Sequence, residues 1–284
     1  MRNILLTLEF DGTDFSGWQI QPGQRTVQGE LENILRRMLG HPELRATGSG
    51  RTDSGVHAYG MRASFSTDKD IPLEGLVRGL NSQLPLDVRV LSAREVPLDL
   101  CARRWSRGKK YRYRIWNHFR ASAIDRKRAW HIAKPLDIEA LREAASYLVG
   151  RHDFSAFRAA RCASKHAVRD LWEIKIYQEG CNVYFEFFGS AFVRHMVRNL
   201  MGSLVEVGKG LRPPEWIQEV LRSRDRRNGG KTAPPHGLYM MYVLYDLPPA
   251  KNASQDKWIF WPTEEEVKEE KKEELDEGKS EEDI

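Results

Sequence analysis

Cysteine is scarce: the 284 residues hold three, Cys101, Cys162 and Cys181. Thiols so far apart form neither a disulfide framework nor a CxxC metal site, so isolated reduced thiols are expected. No run of about 18 apolar residues occurs, which excludes an ordinary membrane-spanning helix and gives no membrane partner. The opening MRNILLTLEFDG has one arginine and then alternates. It lacks the apolar block and small-residue cleavage site of a signal peptide, and a cytoplasmic location is expected. Also missing are GxxxxGK[ST], a helix-opening GxGxxG and HExxH, the marks of a nucleotide phosphate cradle, a dinucleotide site and a zinc site. His57, His152 and His195 fit no metal-ligand spacing and read as surface or hydrogen-bonded side chains. Neither metal nor cofactor is expected.

Positive charge is abundant. The net charge is +5, but residues 264–283 carry 12 acidic and 4 basic side chains, which leaves 41 Lys and Arg against 28 Asp and Glu in the body. A body that basic suits a polyanionic partner, most commonly a nucleic acid. The tail has only Val267, Leu275 and Ile284 as apolar residues. It lacks the surface to bury, so disorder or a frayed helix is expected.

Alternation predicts strands at Asn3–Phe10, near Leu44–Thr47, and at Met61–Thr67, Val88–Val96, Tyr111–Trp116, Leu171–Ile176, Val183–Phe188 and Leu238–Asp246. Helical spacing and caps predict a helix after Thr26 that Gly40 ends, and others at Pro72–Asn81, Leu136–Val149, Phe192–Val205 and Pro213–Leu221. This pattern fits an α+β fold of two related halves, a largely antiparallel mixed sheet flanked by helices. The halves are expected at 1–104 and 105–262, with the acidic tail at 263–284.

Three segments have the residues for chemistry. The loop Gly48–Ala58, GSGRTDSGVHA, holds Arg51 and Asp53 among glycines that let a substrate approach closely. Asp-Ser-Gly is also ordinary turn chemistry, and Asp53 read alone fits an Asx turn. The segment Arg103–Arg114, RRWSRGKKYRYR, interleaves seven cations with three aromatics. Cations meet phosphates and aromatic faces stack bases. Strand geometry puts Tyr111 and Tyr113 on one face and Arg112 and Arg114 on the other. A charge-guarded edge strand is the plainer reading. In the helix Phe192–Val205, Arg194 and Arg198 fall along one edge of a broad apolar stripe. There each pairs with a carboxylate or snorkels to water.

Together these segments resemble the TruA family of tRNA pseudouridine synthases. FDGTDFSGWQIQ (10–21), GRTDSGVHA (50–58), KYRYR (110–114) and FVRHMVRNLMG (192–202) match its pattern, and APPHGLY (233–239) matches more weakly. The likeness spans residues 3–247 and leaves the tail outside. It implies a pseudouridine synthase-like fold and the isomerisation of uridine to pseudouridine at positions 38–40 of the tRNA anticodon arm. It also implies a homodimer and no cofactor. Asp53 stands at the catalytic aspartate, Tyr111 at the tyrosine that packs on the target base, and Arg198 at the residue that pairs with the aspartate. Arg51 stands at the arginine that helps turn the nucleotide out of its stack, and Leu238 near the apolar residue lining the pocket. RNA contacts are expected from Arg103, Arg104, Lys109, Lys110, Arg112 and Arg114. Two other readings stay open on residues alone. One is a non-catalytic RNA-binding module, and the other a metal-dependent nuclease built on Asp11, Asp14, Asp53 and the histidines.

Overall fold

The computed structural model describes residues 1–160, 162 and 164–247. The acidic stretch 263–284, and the expectation made for it, lie outside these residues. In chain order the strands are β1 (Arg2–Phe10), β2 (Thr47–Gly48), β3 (His57–Thr67), β4 (Val88–Val96), β5 (Ser106–Asn117) and β6 (Trp130–Ile132). Strands β7 (Gly150–Asp153), β8 (Val168–Glu179), β9 (Asn182–Gly189) and β10 (Leu238–Tyr245) follow. The helices are α1 (Val27–Leu39), α2 (Leu73–Gln83), α3 (Ile138–Ser146), α4 (Met196–Gly208) and α5 (Trp216–Ser223).

All ten strands belong to one sheet, whose main path runs β4-β1-β3-β10-β5-β9-β8-β7. Its neighbours pair antiparallel, except that β10 runs parallel to β3 through Tyr239↔His57 and Met240↔Ala58. The last strand of the described chain therefore closes the seam between the early strands and the later ones. Opposite β10, strand β5 places Tyr111 against Met240 and Tyr113 against Leu238. Mixed, mostly antiparallel sheet with helices against it is the expected α+β class.

Local chemistry explains the elements. Thr26 caps α1 by accepting from the Gly29 N–H, and Gly40 ends the helix in the left-handed region at φ 66°. Leu31, Ile34, Leu35 and Leu39 of α1 enter one core that also holds α2, α4 and the central strands. Removing such side chains from water contributes about 1.5–3 kcal/mol each.

Helix α4 departs from the expected stripe. It begins at Met196, not Phe192, because His195 has φ 63°, which a right-handed helix cannot continue. Arg194 is thus not helical. The helix is buried nearly all round, including Asn199 and Ser203. Asn199 donates to the Phe157 carbonyl at 2.8 Å, and Ser203 Oγ accepts from the Gly230 N–H at 2.9 Å. Those bonds satisfy the polar groups that the core would otherwise strand. Strands β6 and β7 are too short to carry a readable period, and β3 starts at His57, four residues before the expected Met61.

Candidate active site

Two glycine-bearing loops grip each other at one end of the β1 and β3 strands. Trp18 N–H donates to the Thr52 carbonyl at 3.2 Å, and Gly55 N–H and Ser54 Oγ both donate to the Phe15 carbonyl. Gly17 sits at φ 90°, and a Cβ there would lie 2.5 Å from the Thr52 oxygen. Only glycine fits such an approach in that conformation. Buried His57 accepts from the Gly12 N–H at 3.1 Å and reaches the carbonyls of Lys127 and His236 with its other nitrogen. Its ring stacks on Tyr239.

This clamp holds Asp53 at the floor of a cleft of about 1200 Å³. Its carboxylate makes no bond inside its own turn. Oδ2 meets Arg198 Nη1 at 3.0 Å and His195 Nε2 at 3.4 Å. No contact among the described residues occupies Oδ1. Arg198 is fixed from behind, since its Nε donates to the Ala233 carbonyl at 2.8 Å and its own carbonyl accepts from Ala233 N–H. The segment 233–237 acts as a strap: Tyr113 Oη donates to the Pro234 carbonyl, and Pro235 packs by Gly55. Burial pushes the Asp53 carboxyl pKa up, but the neighbouring His195 and Arg198 outweigh burial and hold it below the ordinary value. The group is ionised at neutral pH.

Tyr111 forms the adjoining wall. It is buried, and Phe192 meets its ring edge-on at 4.9 Å. Burial, with the Asp53 charge behind it, drives its hydroxyl pKa far up, so the phenol stays neutral. Leu238 and Arg51 also line the cleft, the first buried and the second exposed. Among the described residues Asp53 is the only carboxylate that lines the cleft, alongside Arg103, Lys109, Arg169, Arg194 and Arg198. Lys109 donates to the Ser49 carbonyl at 2.7 Å. Burial, then the charges of Arg103 and Arg169, lower its pKa to about 8.

The structure divides the basic segment by face. Lys109 and Tyr111 point into the cleft, whereas Lys110 and Arg112 both bind Glu186 on the opposite face of β5. Arg114 bonds Asp125 and Asn182 at 2.8 and 2.7 Å. Arg104 is exposed and does not line the cleft. Sequence reasoning missed His195 as a neighbour of Asp53. Its place three residues before Arg198 was the available signal.

An ionised aspartate with one free oxygen, an aromatic wall and a cationic rim suits chemistry on a nucleotide within a polyanion. Residues 7–105 and 144–246 match the profile of the tRNA pseudouridine synthase family. The chain belongs to that family. Its similarity to individual tRNA pseudouridine synthases is high throughout the body. A tRNA pseudouridine synthase A from Myxococcus xanthus is 50% identical over 253 residues, covering 88% of this chain and 95% of that protein. The protein of that name from Geotalea uraniireducens strain Rf4 is 45% identical over 245 residues, covering 86% and 100%. That of Halalkalibacterium halodurans is 44% identical over 238 residues, covering 84% and 90%. In this synthase-family chain both Asp53 and Arg198 fall inside the matched stretches, and Tyr111 lies between them.

The structure also bears on metal chemistry. Among the described residues no cluster of three or more His, Cys, Asp or Glu is arranged to hold a metal ion. No described helix is long and apolar enough to cross a membrane.

Proposed function

We propose that this chain isomerises uridine to pseudouridine at positions 38–40 in the anticodon arm of tRNA, with Asp53 as the catalytic carboxylate and no cofactor. The observation that carries the reading is Asp53 itself. One of its oxygens is held by Arg198 and the other is open to a cleft rimmed by cations.

The reaction breaks the N1–C1′ bond, turns the base and joins C5 to C1′. Asp53 acts either as a nucleophile or as a base that starts elimination at the sugar, and both require the ionised form. Tyr111 offers its ring to the base, a stack worth about 1–3 kcal/mol. Because its hydroxyl stays neutral, it packs and does not serve as a base. Leu238, on the neighbouring strand β10, supplies apolar surface to the same cleft. The target nucleotide must leave its stack at a cost of a few kcal/mol, which phosphate contacts offset. Arg51 at the cleft, Arg103 and Lys109 in its wall, and exposed Arg104 are assigned those contacts. Lys110, Arg112 and Arg114 serve the RNA indirectly, by fixing β5 through Glu186 and Asp125. A cytoplasmic homodimer acting on tRNA completes the reading.

The test is tritium release from tRNA transcripts labelled at C5 of uridine, with EDTA present. Wild type is expected to release tritium and Asp53→Asn to release none while still binding tRNA. A folded wild type that binds tRNA without release would favour the non-catalytic RNA-binding module.

A further inference from the structure

Isomerisation leaves a proton problem beyond the sugar chemistry assigned to Asp53. Once C5 has joined C1′, C5 still carries its hydrogen, and N1 has none. A group in the cleft must take the first proton so that the ring regains its C5=C6 double bond. The guanidinium of Arg198 is permanently protonated. The Tyr111 hydroxyl stays protonated beside Asp53. Lys109 is turned to the Ser49 carbonyl. Of the side chains that meet Asp53, His195 remains, and histidine is the side chain suited to taking and returning protons near neutral pH.

Its placement fits that task. His195 lines the cleft and its side chain is one-quarter exposed. Nε2 stands 3.4 Å from Asp53 Oδ2. The residue is held at φ 63°, a left-handed conformation that a non-glycine residue adopts only under constraint. It occupies the position before α4, yet its side chain caps no helix N–H. The strained backbone therefore aims the ring at the carboxylate and not at the helix. In the rearranged intermediate C5 is one bond from C1′, the sugar atom that Asp53 serves, so its proton lies beside this pair.

Resting on the isomerase reading above, we propose that His195 is the proton acceptor at C5. With its ring proton on Nδ1, neutral His195 offers the Nε2 lone pair. The C5–H bond breaks and its electrons form C5=C6. The C6=N1 pair returns to N1, and the imidazolium, after exchange with water, gives a proton to N1. The net change moves one hydrogen from C5 to N1, and the transient imidazolium faces the Asp53 carboxylate.

The test compares tRNA transcripts containing uridine with transcripts containing 5-fluorouridine, whose C5 has no proton to lose. Rates are taken in single turnovers at saturating enzyme. Two variants suit the left-handed backbone, His195→Asn and His195→Gly. His195→Asn is expected to slow pseudouridine formation about 10²–10⁴-fold, while rearrangement of 5-fluorouridine stays within about threefold of wild type. Deuterium at C5 should then slow the variant more than wild type, and added imidazole should restore His195→Gly on uridine. Equal slowing on both substrates would overturn the proposal and reduce His195 to a positioning residue for Asp53. An unchanged rate on uridine would overturn it too. Wild type inactive on both substrates would instead refute the isomerase reading.

Discussion

Replacing Arg198 by methionine removes the fixed cation from Asp53 while keeping an apolar stem in the space. The Arg198 side chain is 14% exposed and that of Asp53 25%, so water compensates little for the loss of the cation. An arginine at such range lowers a carboxyl pKa by about 1–3 units, or ~1.4–4 kcal/mol. Without it, His195 alone opposes burial, already the largest single influence on Asp53, and the pKa should rise by up to that amount. The sign follows from the chemistry: the reaction needs the carboxylate, so activity is lost as pH falls through the raised pKa. The acid limb of single-turnover tritium release should move up by about 1–3 units; from a start below the ordinary 3.8 this leaves most of the carboxylate ionised at pH 7, so the loss of rate should be small there and grow steeply as pH falls. Affinity for tRNA should change far less, because Arg198 sits on the cleft floor against Asp53 and Ala233. Arg198→Lys should recover part of the shift, since a single ammonium cannot reproduce the two guanidinium bonds. An acid limb that stays in place, or equal losses in binding and rate, would refute the role assigned to Arg198.

Gly17→Ala should cripple activity and lower the melting temperature. A Cβ 2.5 Å from the Thr52 carbonyl at φ 90° forces the two loops apart, as thermal melts and tritium release would record. Asp11, held to about pKa 2 chiefly by Thr13 and Arg128 against its burial, stabilises the fold above the unfolded pKa near 4 and loses that contribution as pH falls towards 2. Asp11→Asn should therefore cost about 1–2 kcal/mol in urea melts at pH 7 and much less at pH 2.5, after discounting for exposed Arg128. Deleting residues 264–284 should leave tritium release from pure tRNA unchanged.

The sequence was most informative where chemistry is local. Thr26 and Gly40 bracket α1 by their own capping preferences, and the apolar positions of Val88–Val96 locate β4 although its alternation breaks after Val90. Asp53 read alone was ambiguous between a turn and a catalytic carboxylate. Its partner, Arg198, is 145 positions away and arrives only through folding. The parallel seam between β3 and β10 was hidden for the same reason: strand order is a long-range property that no period encodes. The start of α4 was misplaced because apolar spacing continues through Phe192 and Val193, while one left-handed residue, His195, decides where the helix begins. Lys110, Arg112 and Arg114 looked alike as RNA contacts. Lys110 and Arg112 pair with Glu186, 74 positions from Arg112, and Arg114 pairs with Asp125.

Lys109 shows how burial converts a basic residue into a reporter of RNA. Its ammonium lies in the cleft wall beside Arg103 and Arg169, and among the described residues Asp53 is the only carboxylate lining that cleft. With a pKa of about 8, it is mostly charged at pH 7 and mostly neutral at pH 9. A phosphate brought in by tRNA favours the charged form, so binding should draw in a proton when the pH lies near or above 8. Affinity for tRNA should accordingly fall as pH rises from 7 to 9, by up to the roughly tenfold that one phosphate contact contributes at moderate salt. Lys109→Arg keeps a charge that does not titrate in this range and should flatten the dependence, whereas Lys109→Met should bind weakly at both pH values. Fluorescence anisotropy with labelled anticodon-arm RNA, repeated at two salt concentrations, reads all three proteins. If Lys109→Arg loses affinity with pH as steeply as wild type, the titrating group lies elsewhere, and the cleft wall does not meet the phosphate.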